Sequence, residues 1–414
     1  MITYEKHILP NGLTLLLHED HDTPLVTVNT LYCVGARNEN PQRTGFAHLF
    51  EHLMFGGTPR VPDFDAVVNS IGGECNASTN NDNTNYYITA PSKFLRQMLT
   101  IEADRMAGLD FSERVLEVQK QVVKEEYNQR YTNQPFGDAY MLLRALCYKV
   151  HPYRWCTIGA DINHVLQATV DDEREFFAQH YYPANAIVAV AGDINMRDTL
   201  AMAEEIYGTI SSTRRREECI LPIEPEQTEE RRMTAERDVP YDALYMAFPM
   251  CQRLHPDFCA YDLISDILSN GNSSRMYNKL IKDEGLFSEV NAYILGSIDA
   301  GLMVVHGKPS DGVTLEEAEA GVWQVINELC DRGVSDYELG KVINKYESTF
   351  AYSQYAAEER AANLCHFEFL GHLDWVNNEP QVYHKVTPAD IQRVAKECFQ
   401  PQRANVLYYK SIKI

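Results

Sequence analysis

The feature that most constrains this chain is a pattern it contains twice. Thr169-Val170-Asp171-Asp172 opens a helix ending near Tyr181-Tyr182-Pro183, and Thr387-Pro388-Ala389-Asp390 opens one ending near Phe399-Gln400-Pro401. Both Thr-x-x-Asp segments suit a capped helix start. Each helix is followed by Ala-Asn and an apolar run, Ala186 to Val190 and Val406 to Tyr409, that reads as a buried strand. Thr387 lies 218 positions after Thr169, about half of the 414 residues, so the fold class expected is α+β. It is built as two homologous domains, each a mainly antiparallel sheet packed with helices. Apolar periodicity fades between Ser211 and Asp238, where Arg214-Arg215-Arg216, Pro222, Pro225 and many Glu occur. The expected division is therefore a first domain over 1–212, a linker over 213–238 and a second domain over 239–414.

Composition bears on partners and compartment. A formal net charge of −22 repels phosphate backbones, which argues against a nucleic-acid partner. No segment is apolar enough to cross a bilayer, so no membrane association is expected. The start, Met1 to Lys6, has no apolar signal core, and the ten cysteines contain no Cys-x-x-Cys pair. Reduced thiols in a cytoplasm are the expectation.

One segment carries chemistry. Gly45 to Phe55 is helix text closed by Gly56-Gly57, and it contains His48-Leu49-Phe50-Glu51-His52. His48 and His52 are four apart and share a helical face, a spacing at which two imidazoles can bind one zinc ion. Glu51 lies beside that face and could act as general base on an attacking water. Burying a Glu and two His among Phe, Leu and Met is costly without partners, and a metal supplies them. The copy offset carries 48, 51 and 52 to Asp266, Ser269 and Asn270, so only the first half bears the ligands. A third ligand is sought on the helix expected over Glu113 to Arg130. Val115, Leu116, Val118, Val122 and Val123 point in one mean direction, and Glu126 falls almost on it. The competing reading ends the helix before Glu126 and leaves that residue in solvent.

At these residues the chain resembles the pitrilysin family, the inverted-zincin group that includes insulin-degrading enzyme and mitochondrial processing peptidase. Val122-Val123-Lys124-Glu125-Glu126 matches the family context of its third ligand, which makes Glu126 the ligand. Gly72 to Thr79, with Asp82, Thr84 and Tyr86, resembles the strand beside the metal. The resemblance implies substrate contact at Asn76 and Ala77, by addition of an extended peptide to a strand edge. It further implies one zinc per chain, a peptide substrate, an endopeptidase mechanism on peptides or unfolded segments, and domains that form halves of a clam-shell chamber. The chain is similar to the short two-domain class that works as dimers. Two departures stand out. An Arg and Tyr pair seven apart, which grips substrate from the second domain in active members, is replaced by Ile281 and Ser288. A family Glu seven residues before the third ligand is Gln119, which can still hydrogen-bond near the metal. These departures imply a heterodimer with a paralogous subunit carrying the missing pair; the rival is a homodimer. The alternatives in kind are a non-catalytic scaffold or binding subunit, and a metal hydrolase of a non-peptide substrate.

Overall fold

The computed structural model describes residues 1–217 and 219–412. Glu218, inside the expected linker, and Lys413 and Ile414, at the end of the expected second domain, lie outside the described residues. The fold is α+β, with two sheets packed by helices. The first sheet contains β1 (Glu5–Ile8), β2 (Thr14–Glu19), β3 (Leu25–Tyr32), β4 (Glu74–Thr79), β5 (Thr84–Pro91) and β6 (Ala186–Gly192), in the order β1-β2-β6-β3-β5-β4. The second contains β7 (Arg231–Arg237), β8 (Ala243–Pro249), β9 (Phe287–Leu295), β10 (Leu302–Pro309) and β11 (Asn405–Ser411), in the order β7-β11-β8-β10-β9. Without β1, the two orders are the same plan. Each has a single parallel pair, β2 with β6 and β7 with β11, and otherwise antiparallel neighbours.

The repeated text forms the elements expected of it. Thr169 caps the Val170–His180 helix, and Asp172 returns the bond to the Thr169 backbone. Thr387 and Asp390 do the same for Pro388–Cys398. The strands that follow, β6 and β11, sit inside their sheets; β6 is wholly buried and β11 is buried over Asn405 to Leu407 and at Tyr409, which is why they read as apolar runs. One stretch departs from the expectation. Arg231–Arg237, placed in the linker on composition, is β7, an edge strand with a single neighbour and mostly exposed side chains. An edge strand of this kind has no apolar alternation to reveal it.

The chain folds into two compact units that are not contiguous in sequence. The first takes residues 1–128, 155–221 and 351–378, and the second takes 129–154, 222–350 and 379–414. Within the first, the Ala357–Phe369 helix lies on β3 and β6, burying Ala361, Leu364 and Cys365, with the Cys365 thiol 3.5 Å from the Ile187 carbonyl oxygen. Within the second, Ala139, Leu143 and Cys147 of the Ala139–Cys147 helix join Ala243, Tyr245, Val304 and Leu407 in one core cluster. Each unit thus borrows a helix from the other half of the sequence. A fragment cut to 1–212 lacks the helix that covers β3 and β6. It is expected to aggregate or to lack a cooperative thermal transition by circular dichroism, and a monomeric, cooperatively melting 1–212 would show the borrowed helix to be dispensable.

Candidate metal centre

The site grows out of a short helix in the first unit. Phe46–Leu53 buries Phe46, Ala47, His48, Leu49, Phe50 and Leu53, leaving His52 and Glu51 half-buried along one side. Gly45 precedes it at φ +89°, and a Cβ there would lie 2.7 Å from the Ile158 carbonyl oxygen and 2.8 Å from Val165 Cγ2. Glycine is therefore required both for the left-handed backbone and for the close approach. The two imidazoles stand one turn apart, with ring centroids 4.8 Å apart and planes nearly perpendicular.

The third group comes from the Glu113–Tyr127 helix, capped by Ser112, which packs against the first. It runs past position 126, so Glu126 is held on a helix and is half-buried, while Glu125 is exposed. The apolar face is narrower than its composition predicts. Val115, Leu116 and Val123 are buried, but Val118 and Val122 are 53% and 43% exposed. Two of the five apolar residues thus turned away, yet Glu126, one turn beyond Val123, still faces inward. Gln119 lies half-buried two turns before Glu126.

Oε2 of Glu126 is 3.4 Å from His48 Nε2 and 3.3 Å from His52 Nε2, and the three ligand atoms lie within 4.8 Å of one another. Ligands held about 2.0–2.2 Å from a zinc ion in a tetrahedron sit about 3.3–3.5 Å from one another. The two imidazole–carboxylate separations match those edges, and a donor set of two imidazoles and one carboxylate suits that ion. Among the described residues, this is the group of His, Cys, Asp and Glu side chains able to hold a metal. Glu51, next to it, has its carboxyl raised above the usual Glu value by burial. Hydrogen bonding from Thr79 and the field of His52 oppose that shift, and the nearby Glu126 charge adds to it.

Further residues that the sequence reading passed over hold this helix. Glu39, buried six residues before Gly45, accepts the Gly45 N–H at 2.9 Å on Oε2 and the Ala47 N–H at 2.8 Å on Oε1. Trp155 Nε1 donates to Glu39 Oε2 at 3.1 Å. Burial pushes the Glu39 carboxyl up to about 8 against the pull of these donors. Every partner just named is a donor and offers no acceptor for a carboxyl proton, so the geometry is that of a carboxylate. At the other end, Tyr86 OH donates to the Phe50 carbonyl, and the wholly buried Arg105 lies over the rings of Tyr86 and Phe64 while paired with Glu102. The missing N-cap side chain at Gly45 was the one available signal for Glu39: a buried helix start needs another acceptor.

β4 is the outer strand of the first sheet and packs beside the histidine helix. Asn76 and Ala77 face Tyr87 and Tyr86 in register, and Asn76 Oδ1 accepts the Ala77 N–H at 2.8 Å. The second unit carries no such site at the corresponding positions. Asn270 hydrogen-bonds Asp266, Lys345 donates to Asn270, and Ser269 bonds the Ala292 backbone. An ammonium thus stands among the groups that replaced the histidines. Ile281 packs on the second core, and Ser288 donates to the Lys308 carbonyl. Arg275 is spent on Glu338 and the Gly333 carbonyl, a structural role.

Comparison with known proteins gives the relatives of the chain. A family model described as "Insulinase (Peptidase family M16)" matches residues 14–149, and one described as "Peptidase M16 inactive domain" matches 167–346, together more than half of the chain. The chain is 26% identical over 415 residues to zinc protease PqqE of Helicobacter pylori, covering 98% of this chain and 93% of that protein. It is 23% identical over 352 residues to the probable mitochondrial-processing peptidase subunit beta of Arabidopsis thaliana, covering 82% of this chain and 66% of that one. A crystal structure of a protease from Helicobacter pylori superposes with a TM-score of 0.91 at 26% identity, covering 99% of this chain and 100% of that one. A peptidase M16 inactive domain from Pseudomonas fluorescens has the same fold, with a TM-score of 0.88 at 16% identity and coverage of 98% and 97%.

The geometry separates two adjacent glutamates. Glu126→Gln is expected to weaken divalent-metal binding by at least the roughly 10- to 100-fold typical of losing a group that supports a metal ligand. Glu125→Gln is expected to leave it unchanged. Isothermal titration with zinc measures both, and equal losses would mean the site does not distinguish the pair.

Proposed function

This chain belongs to the insulinase family, peptidase family M16, and from that premise we propose that it is a zinc-dependent endopeptidase acting on peptides or unfolded polypeptide segments. The observation that carries the reading is the meeting of His48 Nε2, His52 Nε2 and Glu126 Oε2, with Glu51 on the same helix. His48, His52 and Glu126 would hold one zinc per chain, and zinc there supplies Lewis-acid polarisation of a scissile carbonyl. Gln119 lies on the Glu126 helix, from where it can support the site through a hydrogen bond. Glu51 takes a proton from the attacking water on its carboxylate. The water oxygen bonds to the carbonyl carbon, the C–N bond breaks, and Glu51 returns the proton to the departing nitrogen. Burial that raises the Glu51 carboxyl favours its holding that proton between the two transfers. The substrate lies extended along the free edge of β4, at Asn76 and Ala77, where main-chain pairing is independent of sequence.

A non-catalytic scaffold role is the second reading, and the description "inactive domain" favours it. That description falls on residues 167–346, a stretch holding none of His48, Glu51, His52 and Glu126, and so it weighs little against catalysis by the first half. Ile281 and Ser288, in place of a cation and a phenol, favour assembly with a paralogous subunit that supplies them, over a homodimer. Among the described residues no helix is long and apolar enough to cross a membrane, and all ten cysteines are free thiols, which favours a reducing compartment such as the cytoplasm.

Zinc content and peptide cleavage of the wild type and Glu51→Gln test the mechanism. Stoichiometric zinc is expected in both, with cleavage reduced about 10²- to 10⁴-fold in the variant. Absence of zinc from the wild type, or undiminished cleavage by Glu51→Gln, overturns the reading. Purification of the native complex tests assembly: a second, related subunit is expected, and an active complex of this chain alone rules out the requirement for one.

A further inference from the structure

The Phe46–Leu53 helix begins in a place where its first N–H groups cannot reach water. The first turn of a helix leaves donors without intrahelical partners, and a polar side chain at the N-cap usually accepts one. Here the N-cap is Gly45, with no side chain to offer, packed against Ile158 and Val165, and Phe46 and Ala47 behind it are buried. Glu39 fills the gap from six residues upstream. Its two oxygens divide the donors, Oε2 taking Gly45 and Oε1 taking Ala47. Two bonds to two different oxygens of a rigid carboxylate hold the rotation of the helix about its axis as well as its end. Trp155 fixes the carboxylate in turn, its indole N–H shared between Glu39 Oε2 and the Ala36 carbonyl, each at 3.1 Å.

Rotation is the quantity the metal site is sensitive to. A roll of about 10° moves a side-chain tip at a helix radius of about 5–6 Å by about 1 Å. Metal–ligand distances tolerate only about 0.2 Å. His48 stands in the first turn, next to Ala47, so it receives any such roll directly.

We propose that Glu39, held by Trp155, is the positioning residue of the metal helix, setting the rotation at which His48 and His52 meet Glu126. This rests on the zinc reading above, and the test separates the two. Zinc affinity is measured on the full chain by competition with a chromophoric chelator, well below the melting temperature, for the wild type, Glu39→Gln and Trp155→Phe. The thermal midpoint of each metal-free protein is measured alongside. Glu39→Gln keeps the shape but turns an amide N–H₂ toward N–H donors. It is expected to lose zinc affinity about tenfold or more while folded. Trp155→Phe, which removes only the indole donor, is expected to lose less, in the same direction, and it decides the matter if Glu39→Gln does not fold. A purely structural anchor would lower the metal-free midpoint and leave affinity in the folded protein at the wild-type value, and that result overturns the inference while sparing the zinc reading. A wild type that binds no zinc overturns the zinc reading itself.

Discussion

The first unit turns on one convergence: two imidazole nitrogens reach the same oxygen of Glu126, at 3.4 and 3.3 Å. These separations are long for N–H···O hydrogen bonds. They are the edge lengths of a tetrahedron of ligands around a small cation. Bringing the groups together requires two helices to pack closely. One supplies a face of His48 and His52, and the other continues helical past Val123 so that Glu126 still points inward. A half-buried cluster of this composition is costly without a positive charge at its centre, and the surrounding apolar side chains make it costlier.

The rest of the unit reads as support for that convergence. Phe46–Leu53 has only eight residues, too short to hold its geometry by its own hydrogen bonds. It is tied at its start by Glu39 and Trp155, and on its flank by Tyr86, which bonds the Phe50 carbonyl above the buried Arg105–Glu102 pair. β4 lies beside it with one edge unpaired by any other strand of the described sheet. A rigid metal helix next to an open strand edge is an arrangement in which a peptide of any sequence can be held by its main chain while one bond is presented to the site.

Duplication explains the asymmetry of the chain. The two sheets share a strand plan, yet among the described residues the group able to hold a metal lies in the first unit. In the other, Asp266, Asn270 and Lys345 satisfy one another, with an ammonium as the local cation, and Ser269 bonds the backbone. Ser269 has become part of the packing, since its hydroxyl is bonded to both the N–H and the carbonyl of Ala292 in β9. The exchange of helices, Ala357–Phe369 into the first unit and Ala139–Cys147 into the second, completes each unit with a helix from the other half of the sequence.

Much of this was legible in the residues. Local chemistry determined the helix caps at Thr169 and Thr387, the buried strands after them and the shared face of His48 and His52, because each depends on neighbours within a turn or a strand. Spacing left two readings open for Glu126, which the family resemblance resolved, and periodicity could not tell that Val118 and Val122 face outward. Only the tertiary structure decided the rest. β7 could not be read because a charged edge strand has no apolar alternation, and the borrowed helices could not be read because their partners lie in the other half of the chain. Glu39 was hidden for a related reason. Its bonds to the helix are to backbone N–H groups across a loop, so its one mark in the sequence is a helix start at Gly45 with no capping side chain, and only the fold shows that those donors are buried.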